Sequence, residues 1–170
     1  MEHGYQPLVR VKALATGVLL KRKGQQVTRI GITEPDSWLG AMGRNVIAEN
    51  KLALPAMLET VKTQGAVVYL LEQKAVQAGV LRTEMANKLI ATGEYETWYP
   101  LPATPDFTML IHDKLAANYA EPIRQAMLNL SAATIDSLQQ AVHISINQFV
   151  SCSKSDYLAL AKAIGVKLPA

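Results

Sequence analysis

The sequence predicts an α/β protein with a largely parallel sheet in the middle of the chain and helices at its C-terminal end. The 170 residues are 49% hydrophobic and 18% charged. Such a chain makes one ordinary domain or two small ones, and this composition excludes a disordered protein. Between residues 27 and 92, strand and helix patterns alternate, and after residue 112 the pattern is mostly helical. Alternation at this spacing is typical of βαβ units.

The individual elements follow from local patterns. Short aliphatic and β-branched runs predict strands, and apolar residues three and four apart predict helices. The predicted strands are 8–11, 17–20, 27–32, 57–63, 78–81, 96–100 and 106–112. The predicted helices are 38–50, 66–74, 83–92, 113–129, 132–142 and 154–165. Their expected N-caps include Ser37, Thr83, Asp113 and either Ser153 or Ser155, and Gly165 is the expected C-terminal stop.

Composition and charge exclude several classes of protein. Cys152 is the only cysteine, so neither an intramolecular disulfide nor a cysteine-rich zinc site can form. The net charge is only +3, and the single basic cluster, residues 21–23, is interpreted as a solvated turn and not as a nucleic-acid surface. No apolar run has the length of a membrane span. The residues from Met1 to Tyr5 show no signal-peptide pattern.

The chemically reactive side chains predict neither an enzyme nor a metal or cofactor site. His112 and His143 stand alone, without a second ligand at metal spacing. A Cys152–His143 nucleophile pair is conceivable, but Cys152 lies between two serines in a polar connector. No glycine-rich phosphate loop or dinucleotide fingerprint is present.

Three aromatic residues have alternative interpretations. Tyr69 lies in an apolar helical run and is expected in the core, the alternative being the wall of a ligand site. Trp98 and Tyr99 belong to an extended, proline-flanked segment. Their rings either line a cleft or seal a boundary, and the sequence does not separate these two roles.

The most informative turn joins a predicted strand to a predicted helix over residues 33–40. The first N–H groups of a helix lack internal partners and carry partial positive charge, so a hydroxyl-bearing turn of this kind can hold an oxyanion. Alternatively, Ser37 or Asp36 simply caps the helix. Glu34 and Asp36 favour capping, because two carboxylates repel an anion. Arg44 is expected to reach back to the turn only with difficulty.

Taken in order, these residues resemble the phosphate/phosphite/phosphonate-binding subunits of ABC transporters, which are type 2 periplasmic binding proteins. The matching stretches are His3–Arg10 with Gly17–Leu20, Val27–Gly40, Thr63–Val80, Trp98–Leu115 and Phe149–Tyr157. The match within each stretch is loose, and the specificity of the resemblance lies in the order and spacing of the stretches. The resemblance implies a three-layer αβα lobe, comprising residues 13–100. Residues 1–12 and 101–170 would then form the crossing strands and C-terminal helical part of a first lobe that lacks its N-terminal part.

The expected ligand shell departs from the family pattern. Ser37 and Gly40 keep the family's turn, whereas Trp38 and Leu39 replace its Thr and second Ser. Three further family residues are also replaced: its His by Gln64, its following Asp by Gly65, and the Asp of the next strand by Gln77. Phosphonate specificity therefore does not carry over, and a different oxyanion, a more apolar ligand or no ligand stays open.

The resemblance implies a non-enzymatic solute-binding component, truncated or divergent, of an ABC uptake transporter. It would hold a small oxyanion between two lobes, with no cofactor, through Ser37, the backbone of Trp38–Gly40, Thr63 and Gln64. Its partners would be the membrane subunits of the transporter, and its location periplasmic or membrane-associated and extracytoplasmic. The alternative is a ligand-independent interaction or sensory module that self-associates through the apolar surface of the C-terminal part.

Overall fold

The computed structural model of the chain describes residues 3–142 and 145–166. Its strands are β1 (Tyr5–Val11), β2 (Leu14–Ala15), β3 (Gly17–Arg22), β4 (Ile30–Thr33), β5 (Leu58–Val61), β6 (Ala78–Arg82), β7 (Tyr95–Pro100), β8 (Thr104–Pro105), β9 (Thr108–His112) and β10 (Phe149–Ser151). Its α-helices are α1 (Trp38–Glu49), α2 (Gln64–Glu72), α3 (Thr83–Ile90), α4 (Asp113–Leu128), α5 (Ala132–Val142) and α6 (Leu158–Ala163). Within the described ranges, no helix has the length and apolarity that crossing a bilayer requires.

The chain divides into two compact units. The central unit is continuous, Thr16–Ala103, and the flanking unit combines Met1–Ala15 with Thr104–Ala170. The interpretation of these units as two lobes of a binding protein stays a prediction.

The central unit is built on a five-stranded sheet of order β5-β4-β6-β3-β7. β4 pairs in parallel with both β5 and β6, whereas β3 runs antiparallel to β6 and β7. Four of the five strands therefore point the same way, and only β3 is opposed. The predicted α/β fold with a mostly parallel sheet is confirmed.

Helices cover both faces of this sheet, which makes three layers. On one face α1 approaches so closely that a Cβ on Gly43 would lie 2.8 Å from Val80 Cγ2. On the other face a Cβ on Gly79 would lie 2.7 Å from Val67 Cγ1 of α2. A buried cluster on this second face joins α2 and α3 to the sheet: Leu20, Val67, Leu71, Val76, Leu81, Ala86, Leu89 and Tyr95. Burial of such side chains is the main favourable contribution to folding.

The basic cluster at 21–23 is not a solvated turn, so that prediction was wrong for its central residue. β3 continues through Arg22, which is only 8% exposed. Its guanidinium donates to the carbonyl oxygen of Leu71 over 2.9 Å and to the Tyr95 hydroxyl over 2.6 Å, and it forms an ion pair with Glu94. Paired in this way, a charged group is tolerated in the interior.

The flanking unit contains a three-stranded antiparallel sheet of order β10-β1-β9 and the short pair β2-β8. Its buried centre is formed by Leu8, Val9, Val11, Ile111, Ile146 and Phe149. Partly buried residues of α4 and α5, including Ala116 and Leu138, pack against this centre. Other apolar residues of the unit are exposed: Leu110, Leu115 and Tyr119 are 50%, 51% and 53% exposed.

Several local expectations need correction. Tyr69 is 61% exposed, because Val67 and Leu71, four residues apart, define the buried side of α2 and Tyr69 lies between them. His112, not Asp113, caps α4, since its Nδ1 accepts from the Lys114 N–H over 3.1 Å. No side chain of a described residue caps α3, so Thr83 is its first residue and not its cap. The last predicted helix is divided into a 3₁₀ turn, Lys154–Tyr157, and α6.

Candidate functional site

The candidate site lies at the carboxyl edge of the central sheet. β4, β5 and β6 run in parallel and lead into α1, α2 and α3 respectively. Three strand ends and three helix N-termini therefore meet along one edge. In open α/β sheets, ligands bind outside the carboxyl ends of the strands. All six sequence-predicted site residues belong to the first two of these connections.

In the β4–α1 turn, Ser37 is the N-cap of α1, as predicted. Its Oγ accepts from the Gly40 N–H over 3.0 Å and donates to the carbonyl oxygen of Glu34 over 2.7 Å. The Thr33 hydroxyl lies 2.7 Å from the same oxygen atom of Ser37. The turn thus satisfies much of its own polarity, and it presents backbone N–H groups of the first helical turn as the donors for a ligand.

The side chains of Trp38 and Leu39 point to different roles. Leu39 is only 7% exposed and belongs to the core, so only its backbone can serve a ligand. The Trp38 indole faces Arg82, whose guanidinium carbon lies 5.2 Å from the ring centroid. This cation–π contact holds a positive charge at the carboxyl edge.

Arg44 reaches the turn readily, contrary to the sequence expectation. Its Nη1 donates to the carbonyl oxygens of Thr33 and Gly40 over 2.7 and 3.1 Å, and its Nη2 donates to Thr60 Oγ1 over 2.9 Å. Burial lowers the pKa of Arg44, and the nearby charge of Glu34 acts in the opposite direction. Arg44 is therefore a structural clamp between β4, α1 and β5.

The β5–α2 connection contributes Thr63 and Gln64. Thr63 caps α2 by accepting from the Ala66 N–H over 3.1 Å. Gln64 Oε1 accepts from the Arg82 N–H over 3.3 Å, which joins the second connection to the third. The Gln64 side-chain nitrogen makes no hydrogen bond within the described residues, and it is a donor available to a ligand.

Arg82 is the site residue that sequence reasoning missed. It ends β6 and is in contact with residues of both other connections, Trp38 and Gln64. A basic residue directly after a buried parallel strand was the available signal.

Gln77 does not belong to the candidate site. It precedes β6 at the opposite edge of the sheet, where its Oε1 accepts from the N–H groups of Thr28 and Arg29.

The structure does not support a nucleophilic cysteine. Burial raises the pKa of the Cys152 thiol, which disfavours the reactive thiolate. His143, its conceivable partner, lies outside the described residues. Within the described ranges, no group of three or more histidine, cysteine, aspartate or glutamate side chains could hold a metal ion.

The aromatic pair on β7 is partly buried. The rings of Trp98 and Tyr99 form an edge contact with centroids 6.1 Å apart. The Lys21 ammonium lies 5.7 Å from the Trp98 centroid and pairs with Glu96. These contacts explain the position of the Trp98 ring without a ligand. That Trp98 and Tyr99 line a cleft stays a prediction.

Comparison with solved structures gives the class of fold. The chain is similar to the PhnD1 protein of Prochlorococcus marinus, solved in complex with methylphosphonate, with a TM-score of 0.68 and 12% identity over 94% of this chain and 70% of that chain. It is similar to a Xanthomonas citri protein solved with ATP, with a TM-score of 0.72 and 9% identity over 95% of this chain and 70% of that one. It is also similar to the binding-protein component of an ABC phosphonate transporter from Pseudomonas aeruginosa, with a TM-score of 0.64 and 14% identity over 94% and 61% of the two chains.

The chain therefore has the fold of the substrate-binding proteins of ABC transporters, and the predicted resemblance is confirmed at the level of the fold. No protein-family profile matches the sequence. No curated protein matches it significantly in sequence. Methylphosphonate, ATP and the phosphonate transporter belong to these neighbours.

Proposed function

We propose that this chain is the solute-binding component of an ABC uptake transporter and binds a small oxyanion at the carboxyl edge of its central unit. The observation that carries the proposal is the convergence of the N-termini of α1, α2 and α3 on one edge, together with the guanidinium of Arg82. Helix N-termini and a cation both favour a negative charge.

The donors at this edge define the ligand chemistry. The hydroxyls of Ser37 and Thr63 are used in capping, so the ligand would be held by backbone N–H groups, the Gln64 amide nitrogen and Arg82. A phosphate, phosphite, alkylphosphonate or sulfate group has enough oxygen acceptors for such a donor set. No acidic residue lies in the first turns of α1 and α2. The carboxylates near this edge are Glu34 and Asp36 in the turn before α1 and Glu84 in the first turn of α3.

This function brings further expectations. The protein would work outside the cytoplasm, deliver its ligand to the membrane subunits of a transporter, and catalyse no reaction. The structural neighbours do not favour the alternative of a ligand-independent module. Light scattering after size exclusion separates the two: a monomer that binds an oxyanion supports transport, and an obligate dimer indifferent to oxyanions supports the module.

Isothermal titration calorimetry with phosphate, phosphite, methylphosphonate and sulfate tests the proposal. We expect saturable binding of at least one of them. Gln64→Ala should weaken that binding by about tenfold, because a hydrogen bond to a charged ligand is worth about 1.5–3 kcal/mol. Gln73→Ala, at the other end of α2, is the matched control and should leave affinity unchanged. Absence of heat with all four anions on folded protein contradicts the proposal.

A further inference from the structure

A second concave site lies on the central unit, away from the six predicted ligand residues. It is a groove of ≈ 770 Å³ between the second half of α1, the segment that follows it, and the start of β5. Ile47 and Ala48 come from the last turn of α1, and Leu58 is the first residue of β5. The last residue of β5 lies at the carboxyl edge of the sheet, so Leu58, its first residue, lies towards the opposite edge. The part of the groove that Leu58 lines is therefore away from the carboxyl edge.

The lining of the groove is apolar with cations and no acids. Eight of the ten lining residues are Ile, Leu, Ala, Pro or Met, and the other two are Arg44 and Lys51. Leu54 is 70% exposed and belongs to this contiguous apolar lining, and contiguous exposed apolar surface is typical of ligand-binding grooves. An apolar wall that carries two cations and no acidic residue suits a ligand that has an apolar tail and an anionic head.

Lys51 is the cation available to such a ligand. It is exposed, and its ammonium makes no ion pair or hydrogen bond with any described residue. Arg44, by contrast, has both terminal nitrogens engaged with Thr33, Gly40 and Thr60. The aliphatic part of the Arg44 side chain therefore forms part of the wall, and its charge favours an anion nearby. Lys51 provides the direct ionic contact with the ligand.

The groove is preformed on both sides. Lys51 follows α1 in a Schellman arrangement, with N–H groups of Lys51 and Leu52 donating to the carbonyl oxygens of Ala48 and Ile47 over 3.2 and 3.0 Å. The opposite lip is a 3₁₀ turn at Pro55–Met57, where the Met57 N–H donates to the Leu54 carbonyl oxygen over 2.9 Å. A preformed apolar site binds without a large ordering cost.

We propose that this groove binds a single-tailed amphipathic anion, such as a medium-chain alkyl carboxylate or sulfonate. The tail lies against Ile47, Leu54 and Leu58, and the head group pairs with Lys51. A volume of ≈ 770 Å³ falls within the usual range for small-molecule sites, about 300–1,000 Å³. The inference is independent of oxyanion binding at the carboxyl edge.

Calorimetry with hexanoate, octanoate and decanoate below their micelle concentrations tests the proposal. Each methylene that enters the groove should raise affinity about fourfold. Octylammonium should bind at least tenfold more weakly than octanoate. Equal affinity for the three carboxylates, or equal affinity for octanoate and octylammonium, overturns the proposal.

Two variants locate the site. Ala48→Trp fills the groove from an exposed position of α1 and should abolish decanoate binding. Ala117→Trp, at an exposed position of α4, is the matched control and should have no effect. If Ala48→Trp binds decanoate as tightly as the parent protein, the groove is not the site.

Lys51→Gly separates charge from folding. Lys51 has a φ of 53°, a left-handed conformation that glycine adopts without strain, so this variant should be at least as stable as the parent. It should nevertheless lose at least tenfold in octanoate affinity. Retained octanoate affinity in Lys51→Gly overturns the ionic contact. If instead the parent dimerises and Leu54→Asp makes it monomeric, the groove belongs to a second copy, and the proposal is wrong.

Discussion

The backbone of Gly40 lies directly against the carbonyl oxygen of Glu34. A Cβ atom at position 40 would be 1.8 Å from that oxygen, a distance that no two non-bonded atoms tolerate. Ser37 closes the same turn by accepting from the Gly40 N–H and donating to the Glu34 carbonyl. The shape of the turn at the carboxyl end of β4 therefore depends on glycine at this position.

We predict that Gly40→Ala destabilises the protein by about 1–3 kcal/mol, the usual cost of forcing an extra carbon into a closed space. Gly65→Ala is the matched control at the start of α2. A Cβ there would meet only Thr63 Oγ1 at 3.8 Å, so this variant should be neutral or stabilising by up to about 1 kcal/mol. Urea unfolding of both variants measures the difference, and equal stabilities would contradict the predicted clash.

We predict that Arg22→Met costs about 3 kcal/mol. The substitution removes two hydrogen bonds from a charged donor, to the Leu71 carbonyl oxygen and to the Tyr95 hydroxyl, and a hydrogen bond that involves a charged group is worth about 1.5–3 kcal/mol. Lys23→Met is the exposed neighbour on the same segment and should change stability by less than about 0.5 kcal/mol. Thermal unfolding monitored by circular dichroism checks both values.

We predict that Lys74→Gly stabilises the protein by about 1 kcal/mol, because Lys74 has a φ of 59° after the end of α2 and glycine removes the left-handed strain. Lys88→Gly, inside α3, should instead destabilise by about 1 kcal/mol. Urea denaturation distinguishes the two signs. Destabilisation by Lys74→Gly would contradict the left-handed backbone of residue 74 as the source of strain.

The pH dependence of the flanking unit should involve Tyr157. Burial raises the pKa of Tyr157 to about 12, above the value of about 10 for an unfolded tyrosine. The neutral hydroxyl is therefore favoured in the folded state. Its contribution to the free energy of unfolding is fully present below pH 10 and is lost as the pH rises towards 12. Tyr157→Phe should lose less stability than the parent between these pH values. If urea unfolding shows that Tyr157→Phe and the parent lose equal stability over this pH range, the prediction is wrong.

The order of the longer elements was predictable from the sequence, because it depends on local periodicity. The short strands β2, β8 and β10 were not predicted. Val67 and Leu71 mark the buried side of α2, and Ser37 stands directly before α1. The strand pattern at 78–81 continues by one residue, to Arg82, in β6. The resemblance to periplasmic binding proteins predicted the three-layer αβα arrangement, which local sequence patterns alone do not define.

Contacts between distant residues were not predictable from local pattern. Arg22 was expected in solvent because its partners, Glu94 and Tyr95, are 72 and 73 residues away in sequence. Arg44 was expected to fall short of the turn, since the sequence does not show that β5 brings Thr60 beside it. The position of Arg82 directly after a predicted strand was a local signal, but its contacts with Trp38 and Gln64 were not predictable.

Amide NMR during a methylphosphonate titration measures oxyanion binding at the carboxyl edge of the central unit residue by residue. We predict saturable shifts for the backbone N–H groups of Leu39, Gln64 and Gly65 and for the guanidinium of Arg82, with the groove residues Ala48 and Leu54 unmoved. Phosphate and sulfate titrations should perturb the same amides to different extents. If none of these anions perturbs the edge amides saturably, or if the shifts concentrate elsewhere, no oxyanion site exists at this edge.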